Sequence, residues 1–123
     1  MNAQHIHPTQ SSLMQAYNFA RLSHKFSPKR LNHALSLAQS NGVVYLPNGD
    51  VEVPSLSGNG FYLISAKYSC DCEDYRRHQK PISGFSQRYL KPEKRWFCQH
   101  ILARLILRKA WDLDTIRKEN KSE

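Results

Sequence analysis

Three cysteines and one histidine in the second half of the chain have the residue types and the spacing of a metal site. Cys70 and Cys72 form a C-x-C pair, twenty-five residues separate Cys72 from Cys98, and His100 completes a C-x-H pair. Structural Zn²⁺ is held by four ligands in a tetrahedron, and three thiolates with one imidazole are an established set. Residues two apart in an extended segment point to the same face, so Cys70 and Cys72 can hold one ion. We therefore expect one structural zinc ion bound by these four residues.

Other roles for the same side chains fit less well. Three cysteines cannot all pair within one chain, and no signal peptide is visible, so a disulfide framework is not expected. Cys98 and His100 could form a nucleophilic dyad, but the sequence shows no glycine-rich oxyanion loop and no third orienting residue. His78 is an alternative fourth ligand, although it lies among charged residues rather than at a predicted helix start. His100 is the preferred ligand.

The ligand pattern resembles the SWIM zinc finger, whose signature is C-x-C, a variable insert and C-x-H leading into a helix. The resemblance covers roughly the second half of the chain, and the flanking segments agree with it. An aromatic-aliphatic segment at 61–69 precedes the first pair, Asp74-Tyr75 follows it, and an apolar helical segment at 101–107 follows the second. Gln99 stands where family members often carry lysine, and the insert is long for the family. The resemblance implies a small zinc-stapled ββα unit that binds DNA or protein and has no catalytic activity.

Length and charge limit the class of protein further. The chain has 123 residues, room for one small domain, and its 18 lysines and arginines against 10 aspartates and glutamates give a net charge of +8. Polyanions are therefore favoured partners. No stretch approaches the roughly twenty apolar residues that cross a bilayer, so we expect no membrane partner and a cytoplasmic protein, or a nuclear one in a eukaryote. Because a core this small usually needs a staple, we expect the zinc half to fold poorly without its metal.

The predicted architecture is α+β, with helices as one layer and a short antiparallel sheet as the other. We expect a disordered tail at 1–10, a helical pair at 11–42, a sheet and zinc module at 43–111, and a charged tail at 112–123. The two amino-terminal helices are expected to pack on the sheet. The sheet is expected to lead the chain into the zinc site.

Local signals mark the ends of these elements. Ser12 has capping-box spacing to Gln15 and predicts the start of the first helix, and Ser27-Pro28 predicts the start of the second. Gly42 is expected in a left-handed conformation after the second helix. The segment Pro47-Asn48-Gly49-Asp50 predicts a hairpin turn.

The insert at 73–97 is the most basic part of the chain. It carries seven lysines and arginines against three acids, with aromatic residues between them. Cations that alternate with aromatic rings suit a phosphate backbone with bases stacked beside it. We expect the aromatic residues nearest the ligands to be structural, namely Tyr75, Trp96 and Phe97, and we expect Phe85 and Tyr89 to be exposed.

The final helix is predicted from Cys98 to Trp111, with an apolar stripe and a basic side. Arg104 and Arg108 are four residues apart and are expected to face the same way, toward a nucleic acid. The complete set of predicted nucleic-acid contacts is Arg76, Arg77, Lys80, Arg88, Lys91, Lys94, Arg95, Arg104 and Arg108.

Two functions agree with these features. The first is a non-catalytic module that binds nucleic acid, DNA in preference to RNA, as an accessory factor in recombination, transposition or transcription control. The alternative is an adaptor that docks onto a larger DNA-processing or regulatory complex, or a homodimer that buries Leu31, Leu35 and the apolar face of the first helix, formed by Leu13, Tyr17 and Ala20. Four protein ligands leave no open position on zinc for water, which argues against an enzyme with a small-molecule substrate.

Overall fold

The computed structural model describes residues 7–55, 60–65, 69–79 and 97–121. In chain order, the elements are α1 (Gln10–Leu22), α2 (Pro28–Ala38), β1 (Val44–Tyr45), β2 (Val51–Pro54), β3 (Phe61–Ile64), α3 (Glu73–Gln79) and α4 (Gln99–Lys121). The predicted α+β class is confirmed. None of the helices in these ranges combines the length and the apolar composition that a bilayer crossing requires.

The start of α1 differs from the prediction. Thr9 is the N-cap, and its side chain accepts a hydrogen bond from the Ser12 amide at 3.2 Å. Ser12 is fully buried, and its hydroxyl donates to Asp114 at 2.6 Å. The predicted cap at Ser12 is therefore wrong, because this serine serves a contact with α4. Residues 1–6 of the predicted tail lie outside the described residues.

The start of α2 is confirmed, whereas its end is not. The Ser27 side chain accepts from the Arg30 amide, and Pro28 occupies the first turn. The helix ends at Ala38 with Gln39 as a right-handed C-cap. Gly42 is not among the described glycines with positive φ, so its predicted left-handed role is wrong.

α4 is the central helix of the described core and packs on both α1 and α2. The fully buried side chains between the three helices include Leu13, Leu31, Leu102 and Ile106. Since Leu31 is 1 % exposed, it lies inside the single chain rather than on a surface that a second copy could cover. The helix also continues to Lys121, past Trp111, so residues 112–121 of the predicted charged tail are helical.

The sheet is antiparallel in the order β1-β2-β3. Its turn is the predicted one: Gly49 has a φ of 92°, and the Leu46 amide donates to the Asp50 carbonyl at 2.9 Å. Val51 pairs with Ile64 across β2 and β3, and both are buried in the same core as the helices. The sheet therefore fixes the end of β3, from which the chain enters the site.

Candidate metal centre

The four predicted ligands lie together in the structure. The sulfurs of Cys70, Cys72 and Cys98 and a ring nitrogen of His100 are all within 4.8 Å of one another. The four residues are buried, with exposed fractions of 8, 4, 2 and 5 % in that order. Separations of this size suit four atoms around one ion, since Zn–S bonds are about 2.3 Å long. The cluster could therefore hold one metal ion.

Hydrogen bonds between Ser65 and Ser69, where the chain reverses after β3, position Cys70. The Ser65 amide donates to the Ser69 carbonyl at 2.9 Å, and the Ser69 amide donates to the Ser65 hydroxyl oxygen at 3.1 Å. Cys70 then pairs with Ile64 as an antiparallel bridge. The predicted strand thus ends at Ile64, and the chain turns back before it reaches the first ligand.

Cys72 lies directly before α3, and the first turn of that helix surrounds it. The Tyr75 amide donates to the Cys72 sulfur at 3.4 Å, and the Arg76 amide donates to the Cys72 carbonyl at 3.1 Å. An amide directed at the sulfur favours its thiolate form. Tyr75 is 6 % exposed, which confirms its predicted structural role.

The second ligand pair begins α4, as predicted. The Leu102 amide donates to the Cys98 carbonyl at 3.0 Å, so Cys98 precedes the helix and His100 lies in its first turn. The His100 ring packs against Tyr62, with 4.2 Å between ring centroids. Its Nδ1 is buried and makes no hydrogen bond within the described part of the chain. Buried polar atoms are rarely left without a partner. An ion or a further group bound at the cluster would satisfy this ring, as expected for a histidine that binds a metal.

The three thiols share their protons unequally. Hydrogen bonds from Cys70 and then Cys98 lower the pKa of Cys72 far below the ordinary thiol value. The hydrogen bond to Cys72, the contact with Cys98 and burial raise the pKa of Cys70. The contact with Cys70 acts to lower the pKa of Cys98, but Cys72 and burial outweigh it and raise that pKa to about 12. A divalent cation bound between the three sulfurs would displace the thiol protons that now form hydrogen bonds among them.

The donor set fits a structural zinc ion. Thiolates and imidazole suit Zn²⁺, and a closed tetrahedron of Cys₃His is one of its usual structural sites. A bound ion would also account for two features of the cluster, namely the buried His100 Nδ1 atom without a hydrogen bond and the close approach of three buried sulfurs. The alternative ligand His78 has its side chain outside the described residues.

A contact between α2 and α4 also supports the site, and the sequence did not indicate it. The Gln99 Oε1 atom lies 3.0 Å from the His33 Nδ1 atom. This pair ties the residue between Cys98 and His100 to the second helix. No local pattern distinguishes His33 from any other polar residue on a helix, so the contact emerges only from the fold.

The predicted nucleic-acid contacts divide into three groups. Arg76 and Arg77 are exposed on α3, and Arg77 pairs with Glu73. Arg108 is exposed on α4 and lies 3.6 Å from a carboxylate oxygen of Asp112. A further group lies outside the described residues: Lys80, Arg88, Lys91, Lys94 and Arg95, and with them Phe85, Tyr89 and Trp96.

Arg104 requires a correction, because it is buried rather than exposed. It is 8 % exposed, and its Nη2 donates to the Gly49 carbonyl at 2.7 Å. Arg104 and Arg108 do share one side of α4, as predicted, but that side faces the β1–β2 turn across a cavity of about 210 Å³. In this arrangement Arg104 holds the hairpin against α4.

Comparison of the chain with models of protein families, with curated proteins and with solved structures gives no match. The fold and the site therefore define a class only: an α+β chain with a buried Cys₃His cluster that could hold one metal ion.

Proposed function

We propose that the chain is a SWIM-type zinc module that binds nucleic acid, DNA in preference to RNA, mainly through phosphates. It would act as an accessory factor in a DNA transaction such as recombination, transposition or transcription control. The observation that carries the metal part is the buried cluster of Cys70, Cys72, Cys98 and His100. Four protein ligands complete a zinc tetrahedron, which supports a structural rather than a catalytic ion.

Charge supports the nucleic-acid part. The chain carries a net charge of +8, and seven of its cations fall in the insert between Cys72 and Cys98. The insert begins with α3, whose first turn is bonded to Cys72, so the ion would fix the place from which Arg76 and Arg77 project. Because cations neutralise phosphates with release of counterions, binding should weaken steeply with salt.

Titration of labelled duplex DNA, single-stranded DNA and RNA with the zinc-loaded protein over a salt series tests this function. A slope of about −0.9 in log affinity against log salt for each phosphate contacted is expected on duplex DNA. The protein treated with a zinc chelator should bind more weakly. Absence of salt-dependent binding by the folded, zinc-loaded protein would refute the nucleic-acid function.

A charge-matched pair of variants locates the surface. Changing Arg76, Arg77, Arg88 and Lys91 together to alanine should reduce both affinity and salt slope. The control changes Arg21, Lys25, Lys29 and Lys118 to alanine, which removes the same net charge from exposed positions outside the insert. Equal losses in the two variants would show that total charge, and not the insert, determines binding.

A second candidate function, a protein–protein adaptor, has its own support. Phe19 and Leu22, near the end of α1, are 65 % and 73 % exposed. They are three residues apart on the helix, and large apolar side chains that share one exposed helix face are typical of an interaction site.

A further inference from the structure

An apolar groove of about 260 Å³ opens between α1, the start of α2 and the middle of α4. The aromatic side chains of Phe19 and Phe26 and the aliphatic side chain of Leu105 line it. Lys25 and Lys109, both exposed, line it as well. The groove thus combines an apolar wall with two ammonium groups that reach solvent.

The two amino-terminal helices beside the groove carry positive charge and no acid of their own segment. Residues 1–49 contain no aspartate or glutamate, and Asp50 is the first acid of the chain. Arg21, Lys25 and Lys29 lie at the connection of α1 and α2, and all three are exposed. α4 carries acids as well as cations, so the positive field on this side of the groove comes from α1, α2 and their connection, and it favours carboxylates on a partner.

Several occupants fit this combination poorly. The chain's own insert is basic, and a second copy carries the same net charge of +8, so both would be repelled. The volume lies below the roughly 300 Å³ at which small-molecule pockets usually begin. The walls are mostly apolar and offer few hydrogen-bonding groups to a nucleobase, and the Lys109 ammonium already lies 4.8 Å from the Phe19 ring centroid.

We propose that this groove binds an acidic amphipathic helix of a partner protein. Apolar side chains one turn apart on that helix would enter between α1 and α4, next to Phe19. Carboxylates beside them would meet Lys25 and Lys109. This inference specifies the partner of the adaptor role, rests on that second candidate function, and does not depend on nucleic-acid binding.

Fluorescence anisotropy of a designed peptide tests the proposal. The probe is a labelled helical peptide with leucines at i, i+3, i+4 and i+7 and glutamates at the exposed positions. It is compared with a peptide of the same composition whose leucines are spread around the helix. Zinc-loaded protein should bind the amphipathic peptide about tenfold or more tightly than the scrambled one, because only the former presents a continuous apolar stripe.

Matched variants show where the peptide binds. Phe19→Ala and Lys25→Glu should each weaken binding about tenfold, as expected for an anchor and for a charge at the contact. The controls Ile116→Ala and Lys118→Glu alter exposed residues of α4 that do not line the groove and should leave binding unchanged. Circular dichroism verifies that all four variants keep their helices.

The outcomes separate this inference from the nucleic-acid function. Equal binding of the two peptides, or equal effects of Lys25→Glu and Lys118→Glu, would overturn the docking site. Loss of single-stranded DNA binding in Phe19→Ala and Lys25→Glu, with no peptide binding, would instead assign the groove to the nucleic-acid surface. Peptide binding by a protein that binds no nucleic acid would support the docking site and refute the first function.

Discussion

At the scale of single residues, His100 provides the most direct test of the metal centre. Replacing it with alanine removes one of the four proposed ligands and should lower zinc affinity by about a hundredfold or more. His100→Cys should retain the ion, because a Cys₄ site is also established. Zinc content and competition with a chromogenic chelator measure both effects.

The exposed His24 provides the matched control for that substitution, since it lies outside the cluster. His24→Ala should keep full affinity. Full zinc affinity in His100→Ala would exclude His100 as a ligand and favour His78 as the fourth ligand.

Proton release tests whether the three cysteines are organised before the ion arrives. The close approach of the three sulfurs lowers the pKa of Cys72 and raises the pKa values of Cys70 and Cys98, so we expect Cys72 alone to be a thiolate before the ion binds. Since zinc needs all three as thiolates, binding to the folded site at pH 7.5 should release about two protons, and affinity should rise with pH.

Calorimetry in buffers of different ionisation enthalpy counts these protons. Release of nearly three protons would mean that each cysteine starts with an ordinary thiol pKa, as in an unfolded chain. That count would contradict the expectation that the folded protein holds one thiolate and two thiols in the cluster before the ion binds.

At the scale of elements, Asp114 connects the far part of α4 to the start of α1. It accepts hydrogen bonds from the Thr9 amide at 2.8 Å, the Thr9 hydroxyl at 2.9 Å and the Ser12 hydroxyl at 2.6 Å. Burial acts to raise the pKa of Asp114, but these hydrogen bonds and the charge of Arg117 outweigh it and lower that pKa. A carboxylate at a helix N-terminus is also favoured by the helix dipole.

Asp114→Asn should therefore reduce the free energy of unfolding by about 2 kcal/mol at pH 7, the scale of a hydrogen-bonded charge. Because the folded pKa is lowered, this stabilisation is present above the unfolded pKa of 3.8 and is lost as pH falls through the folded value. Urea denaturation of both proteins should give converging stabilities in acid. Asp112→Asn, at an exposed ion pair, should cost less than about 0.5 kcal/mol.

Arg104 and Arg108 permit a second comparison on one helix. Arg104→Ala removes the donor to Gly49 and leaves space beside the hairpin, so it should cost about 1–3 kcal/mol of stability. Arg108→Ala, whose side chain is 59 % exposed, should change stability by less than about 0.5 kcal/mol. Urea denaturation measures both, and equal stability losses would contradict the different burial of the two arginines.

These elements also show what the sequence could predict. Ligand spacing, the Ser27-Pro28 start and the Asn-Gly turn are local signals, and the structure agrees with all three. The bonds between Thr9 and Asp114 join residues 105 apart, which no local pattern indicates. Helical spacing placed Arg104 and Arg108 on one side, but it could not show that this side faces the hairpin.

At the scale of the whole molecule, different interactions stabilise the helical layer and the proposed metal site, which meet at the start of α4. α1, α2 and α4 bury apolar side chains against one another, whereas the Ser65–Ser69 reversal and α3 adjoin the cysteine cluster. Removal of zinc should therefore leave most of the helical circular dichroism signal and lower the melting temperature. Hydrogen exchange should increase first in the reversal and in α3. Simultaneous loss of all helices on chelation would contradict this separation and show that one cooperative unit depends on the ion.

The absence of acids from residues 1–49 has a practical consequence for chemical cross-linking. A carbodiimide joins a lysine amine to a carboxylate without a spacer. Lys25 and Lys29 therefore cannot be joined to any other side chain of their own segment. Every such link must end on a later part of this chain or on another molecule, and mass spectrometry separates these two cases by the sequence of the attached peptide. Cross-links from Lys25 and Lys29 thus identify the carboxylates that lie next to the first two helices, whether they belong to this chain or to a partner.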